Sequence, residues 1–451
     1  MALAGAALIA AGMLFSCTSK APKSLVTPPN AAAVKAGQAH REPVRGVWLT
    51  TVSRLDWPPV GSIIASTPES RITQQKLALI AKLDNLQRLG INTVFFQVKP
   101  DGTALWRSDI LPWSDMLTGK IGEYPGYDPL QFMLDEAHKR GMKVHAWFNP
   151  YRVSVNTKPS TIAELNNTLT QVPASVFVLH RNWIRTASDR FVLDPGIPEA
   201  RDWITSIVAE VVQNYPIDGV QFDDYFYTET ASSPLNDNET FRRYGQGYAT
   251  KGDWRRHNTQ QLIAQVSTTI KKLNPNVEFG VSPAGVWRNR SHDPAGSDTR
   301  GAAAYDESYA DTRSWVQQGL LDYIAPQIYW PFARDAARYD VLANWWAEVV
   351  KPTHTRLYIG VALYKVGEPS KNEPDWTVDG GVPELKKQLD LNETLPQIQG
   401  TILFRENNLN QPQTRQAVNY LRSRWGQPPA GSAITPAALA AGGRAASACS
   451  L

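Results

Sequence analysis

The stretch DGVQFDDYFY, residues 218 to 227, ends an apolar run on two adjacent carboxylates, Asp223 and Asp224. A buried strand gains nothing by finishing on paired charges, since each must be taken out of water. Two carboxyl groups in different environments can instead divide the work of acid and base. Other polar and aromatic side chains fall at comparable places. They are Lys99 and Asp101 in VKPDG, Trp147, Asn149 and Arg152 in AWFNPYR, and Gln221 in the opening stretch itself. Gln327, Tyr329 and Trp330 follow in APQIYWP, and Glu406 in FREN. The long polar segment WRNRSHDPAGSDTRG, 287 to 301, adds Trp287, Arg288, Arg290 and Arg300. Guanidinium groups bind carboxylates through two hydrogen bonds, and flat amphipathic rings suit the apolar faces of sugars.

Positioning such a set requires a repeated element. Short β-branched or aromatic runs recur at 44–51, 92–100, 143–150, 219–227, 278–285, 323–330, 357–364 and 400–407. Each is followed by a segment of helical period, the first being RITQQKLALIAKLDNLQRLG and the last QTRQAVNYLRSRW. Strand alternating with helix predicts a parallel sheet, and eight units predict a closed (β/α)8 TIM barrel of the α/β class with long βα loops. An open doubly wound sheet is the other arrangement of such units, but no Gly-rich dinucleotide fingerprint follows the first strand.

Within these strands the polar residues keep one parity. Gln97, Lys99 and Asp101 alternate with Val94, Phe96 and Val98; His145, Trp147 and Asn149 alternate with Val144, Ala146 and Phe148. Gln221 and Asp223 alternate with Val220 and Phe222, and Gln327 and Tyr329 with Pro326 and Ile328. Successive side chains point to opposite faces, so the apolar set is expected against the helices and the polar set toward the barrel axis, near the C-terminal mouth. Asp223 is then expected in the mouth, with Asp224 on the rim.

Composition narrows the partners. Charge is nearly balanced, 46 Lys plus Arg against 42 Asp plus Glu, and no basic run points to nucleic acid. There are two cysteines, Cys17 and Cys449, which leaves no disulfide framework and no Cys-based metal site. The seven His show no metal-ligand spacing, and no cofactor is expected. The run from Ala2 to Phe15 is too short to span a bilayer and has the length of a signal-peptide core, ending at Cys17 in LFSC. It resembles a bacterial lipoprotein signal whose Cys becomes the lipidated first residue, and Thr18 fits sorting to the outer membrane. The expected organisation is a signal over 1–17, a flexible tether over 18–43, the barrel over 44–425, and a low-complexity, disordered tail over 426–451.

RGVWLTT, KVHAWFNPYRV, DGVQFDDYFY, GVSPAGVWRNR and PQIYWP together resemble the glycosyl-hydrolase-like family 10 lipoproteins, over roughly residues 17 to 425. The resemblance implies an outer-membrane lipoprotein facing the periplasm. It further implies action on peptidoglycan glycan strands stripped of their stem peptides, with association with the division machinery. Glycoside hydrolysis generally uses two carboxyls, one as nucleophile or base and one as proton donor. Asp223 is the choice for the ionised partner; DGVQFD is also similar to the fourth-strand DGxRxD frame of α-amylase-type barrels, whose last Asp is the nucleophile. In the chitinase-type frame DGxDxDxE the acid would fall at Tyr225, which speaks against transferring that mechanism. For the proton donor Asp224, Asp101, Glu406 and Glu307 stay open. Arg152, Arg288, Arg290 and Arg300 are candidates to pair with the lactyl carboxylate exposed on stripped strands, and Trp147, Trp287, Tyr329 and Trp330 to stack on sugar rings. Two other readings compete: a catalytically silent glycan-binding barrel, and a metal-dependent deacetylase, for which only His145 has inward parity.

Overall fold

A computed structural model describes residues 42–426. The signal with Cys17, the tether and the tail lie outside the described residues, apart from Glu42, Pro43 and Gly426 at their inner ends. The first strand, β1 (Val44–Leu49), leads into α1 (Pro68–Arg88). That helix starts where it does because Thr67 accepts a hydrogen bond from the Ser70 N–H and Pro68 cannot donate one, a common N-terminal arrangement. Its buried positions Gln75, Leu79, Leu83 and Leu86 recur every three or four residues and form the face turned to the barrel. The alternation continues through β2 (Thr93–Lys99), α2 (Pro129–Lys139) and β3 (Lys143–Phe148).

After β3 comes a feature that the periodicity did not announce, a small antiparallel hairpin of β4 (Ile184–Ala187) and β5 (Arg190–Leu193). Then follow α3 (Pro198–Asn214), β6 (Gly219–Phe222), α4 (Lys251–Leu273), β7 (Glu278–Val281) and α5 (Thr312–Gln317). The last units are β8 (Tyr323–Ile324), α6 (Tyr339–Val350), β9 (Arg356–Val361), α7 (Val382–Thr394), β10 (Ile398–Leu403) and α8 (Arg415–Trp425). The strands close in the order β1-β10-β9-β8-β7-β6-β3-β2, every pair parallel, so this is a (β/α)8 barrel. Three strands span half of their apolar runs or less. The fourth barrel strand stops at Phe222, the fifth at Val281 and the sixth at Ile324, beyond which only Gln327 bridges to Ala284 and Gly360. The polar residues at these ends therefore sit on the mouth loops.

Inside the barrel Trp48, Phe95, Trp147, Tyr323, Ala325, Tyr358 and Ile402 form one apolar cluster, while Val94, Phe96, Val144, Val220 and Phe222 pack outward with the helices. The expected parity holds. Space for the inward aromatics comes from glycine. A Cβ on Gly219 would lie 2.4 Å from His145 Nδ1, and one on Gly280 would lie 2.2 Å from the Tyr323 ring. His145 itself bonds the Tyr323 hydroxyl at 2.9 Å, and burial holds its imidazole down at about 4, so it serves as neutral packing in the barrel floor.

Candidate active site

Above that floor, polar residues replace aromatic ones. The Trp48 indole donates to Gln221 Oε1 at 2.6 Å, and Gln221 donates on to the Tyr323 hydroxyl at 3.2 Å. Gln221 has no exposed surface, so this expected substrate contact belongs to the barrel interior instead, where its amide satisfies the two ring groups. The next layer up ends on Asp223. The Gln97 side-chain oxygen accepts from the N–H groups of Thr51 and Val52, both at 2.9 Å, and its amide N–H donates to Asn149 Oδ1 at 2.6 Å. With its oxygen so fixed, Asn149 must turn its own N–H outward, and it donates to Asp223. Trp147, on the neighbouring strand to Gln221, donates its indole N–H to the same Asp223 oxygen at 3.1 Å. The Tyr225 N–H donates to the other oxygen at 3.2 Å.

Asp223 is thus a carboxylate with 5 % exposure, held by three donors at the barrel mouth. Burial, and then the neighbouring Asp224 charge, push it up to about 7, while Arg152 and the Trp147 bond oppose the rise. Asp224 is half-buried on the rim and accepts from Gln327 at 3.2 Å. Burial raises it too. The two adjacent carboxyls are both raised and titrate as a pair, and the three donors on Asp223 favour its anion over its protonated form.

Arg152, Lys99 and Asp101 flank this pair. The Lys99 ammonium donates to the carbonyls of Asn149 at 2.8 Å, Pro150 at 3.3 Å and Arg152 at 3.3 Å, clamping the turn that carries Asn149 and Arg152. Burial lowers it to about 7, against the pull of Asp101. Asp101 is raised by burial and caps the Thr103 N–H at 2.9 Å, which makes it part of the loop's frame. Arg152 donates to the Pro100 carbonyl at 3.1 Å and lays its guanidinium 4.7 Å from the centre of the Tyr225 ring.

Several expected residues are placed elsewhere. Glu406 has no exposed surface; it pairs with Lys82 of α1 and accepts from Asn410 at 3.3 Å, turned into the barrel wall rather than toward Asp223. Glu307 is exposed in a short helix, 304–307, after the fifth strand. Arg288 already engages Asp306 at 2.9 Å and Asp293 at 3.2 Å, and exposed Arg300 engages Asp335 at 2.5 Å. Arg290 is exposed on the same loop. Trp287 is a core residue: 4 % exposed, it donates to Asp311 at 2.8 Å and stacks on Trp345 with centroids 5.7 Å apart. Trp330 packs half-buried on the core behind Gly285. Tyr329 remains at the mouth, 5.8 Å from Phe404 and from Tyr364, an aromatic wall whose Tyr364 is exposed.

Parity singled out Gln97 without giving it a role; its function in orienting Asn149 needed the tertiary partners at Thr51 and Val52. The β4–β5 hairpin carries Arg190 to within 5.6 Å of the Tyr225 ring centre. The sequence signal for it was faint: two four-residue runs around Ser188-Asp189, both of which take positive φ. Among the described residues no group of His, Cys, Asp and Glu could hold a metal ion, and no helix is long and apolar enough to cross a membrane.

The chain matches the glycosyl hydrolase-like 10 family over residues 43–378. It is 76% identical over 415 residues to glycosyl hydrolase DigH of Escherichia coli K12, covering 92% of this chain and 94% of that one. It is 43% identical over 376 residues to glycosyl hydrolase YngK of Bacillus subtilis 168, covering 83% of this chain and 70% of that protein. Among solved structures, the PgaB (BpsB) glycoside hydrolase domain of Bordetella bronchiseptica aligns with 86% of this chain and 99% of its own, at a TM-score of 0.46 and 16% identity.

Proposed function

The chain belongs to the glycosyl hydrolase-like 10 family, and on that premise we propose that it is a glycoside hydrolase of peptidoglycan glycan strands that have lost their stem peptides. The observation that carries the reading is the pair at the mouth: Asp223, buried and held by Trp147 and Asn149, next to rim-facing Asp224. A sugar seated across it would meet a fixed anion and, one residue away, a carboxyl that can hold a proton.

Asp224 gives its proton to the glycosidic oxygen as the bond from that oxygen to the anomeric carbon breaks. Asp223 stabilises the positive charge that develops at that carbon. Water adds its oxygen to the anomeric carbon, and the proton it loses restores the Asp224 carboxyl. Tyr329 with Phe404 and Tyr364 offers flat faces for neighbouring sugars. The lipoprotein-like run Ala2–Phe15 with Cys17 supports an outer-membrane anchor facing the periplasm, and stripped strands as substrate fit a role in wall remodelling at division.

Mass spectrometry of stripped glycan strands incubated with residues 18–425 tests the proposal. Shortened strands with the wild type, and a loss of ~10³-fold or more in Asp223→Asn and Asp224→Asn, are expected for groups acting on the reacting bond. Intact strands that still bind both wild type and Asp223→Asn would make this a glycan-binding barrel.

A further inference from the structure

Two guanidinium groups face the ring of Tyr225, and their situations differ. Arg152 is buried, bonded to the Pro100 carbonyl, and lies within electrostatic reach of Asp101, Asp223 and Asp224. Its charge is committed to holding those carboxylates. Arg190 is half-buried, and among the described residues its side chain has no carboxylate partner and no hydrogen bond; its guanidinium lies 5.6 Å from the centre of the Tyr225 ring. Tyr225 is itself 37 % exposed, so the cation stands at an open edge of the mouth. The hairpin bearing Arg190 is held by its own ladder and by Val153 N–H to the Phe191 carbonyl at 2.8 Å, so the Arg190 side chain is not needed to keep it in place.

A neutral glycan would have no use for this extra cation. A saccharide with a carboxylate beside the scissile bond would, because the Asp223 anion repels it and a free guanidinium can bind it through two hydrogen bonds. We infer that Arg190, seated on Tyr225, is the specificity residue that receives the lactyl carboxylate of a muramic acid ring in the cleft. The inference rests on the substrate proposed above, and it moves the carboxylate-binding role from the paired Arg288 and Arg300 to the hairpin.

The test compares binding of stripped strands with binding of the same strands after methyl esterification of their carboxyls, by co-sedimentation at low salt. Wild type is expected to prefer the free carboxylate about tenfold. Arg190→Gln should bind both forms with the affinity that wild type shows for the ester, and Arg190→Lys should recover part of the preference. Equal binding of both forms by the wild type, or a loss in Arg190→Gln that is the same for both, would overturn the assignment. Strand shortening in the same samples reads the hydrolase separately. Strands that stay intact while the Arg190-dependent preference persists would remove the hydrolase and leave the carboxylate site standing.

Discussion

The indole N–H of Trp147 reaches the carboxylate of Asp223 at 3.1 Å, joining the end of β3 to the end of β6 through the group proposed above as the anion of the pair. A donor aimed at a carboxylate favours its anion. Trp147→Phe keeps the ring that fills the barrel and removes the donor. Asp223 should then rise further above about 7, so that at neutral pH less of it is ionised. The expected result is an acidic limb of the kcat/KM profile shifted up by about one pH unit and a rate about fivefold lower at pH 7, converging on wild type at high pH. A pH–rate profile of the two proteins checks it.

Holding Asp223 this way costs stability. Its unfolded pKa is near ~3.9 and its folded one about 7. Below the lower value both states are protonated and nothing is lost. As pH rises between the two, the unfolded chain releases the proton and the folded one keeps it, so stability falls until the folded pKa is passed, then levels off. Asp223→Asn removes the effect. Its melting temperature relative to wild type should therefore increase from pH 4 to pH 8, by the equivalent of up to about 4 kcal/mol. A difference that does not change with pH would mean that Asp223 is not raised.

The barrel was readable because its signal is redundant. Eight apolar runs each precede a helical period, and parity alone put Gln97, Trp147, Asn149 and Asp223 on the inside. What parity cannot say is which inward residue reaches the cleft. Gln221 and Asp223 have the same parity, yet the first is sealed beneath Trp48 and the second sits just beyond the strand's end. Nor can composition separate a free arginine from a paired one. Arg288 looks like Arg190 until Asp293 and Asp306 are placed around it. The hairpin escaped notice because its four-residue strands pair only with each other and with the segment after β3, and its turn is Ser-Asp rather than Asn-Gly.

Glu406 is argued by its partner. Lys82 comes from α1, and the pair fastens that helix to the loop after β10. Glu406→Gln should leave the pH–rate profile and kcat close to wild type while lowering stability by ~1–3 kcal/mol, below the range for breaking a fully buried pair because Lys82 retains some contact with water. Denaturant titration beside the strand-shortening assay separates the two effects. A loss of activity at unchanged stability would return Glu406 to the list of proton donors.

Lys99 is the opposite case, a buried charge whose hydrogen bonds all go to the backbone of one turn. Its ammonium satisfies three carbonyls of the turn that presents Asn149 and Arg152, and nothing else among the described residues is bonded to all three. Lys99→Met preserves the stem and strips the donors, leaving polar groups in a dry pocket at a cost of about 1–3 kcal/mol each where water cannot enter. Asn149 would then lose its fixed orientation toward Asp223, and Arg152 its place over Tyr225. The expected outcome is a rise in KM together with a fall in kcat, each about tenfold, because one turn sets both the anion and the rim. Substituting Asn149 with Ala, by contrast, should lower kcat alone, since it removes a donor to Asp223 while Lys99 keeps the turn. Steady-state kinetics of the two variants on the same strands distinguish a clamp from a contact.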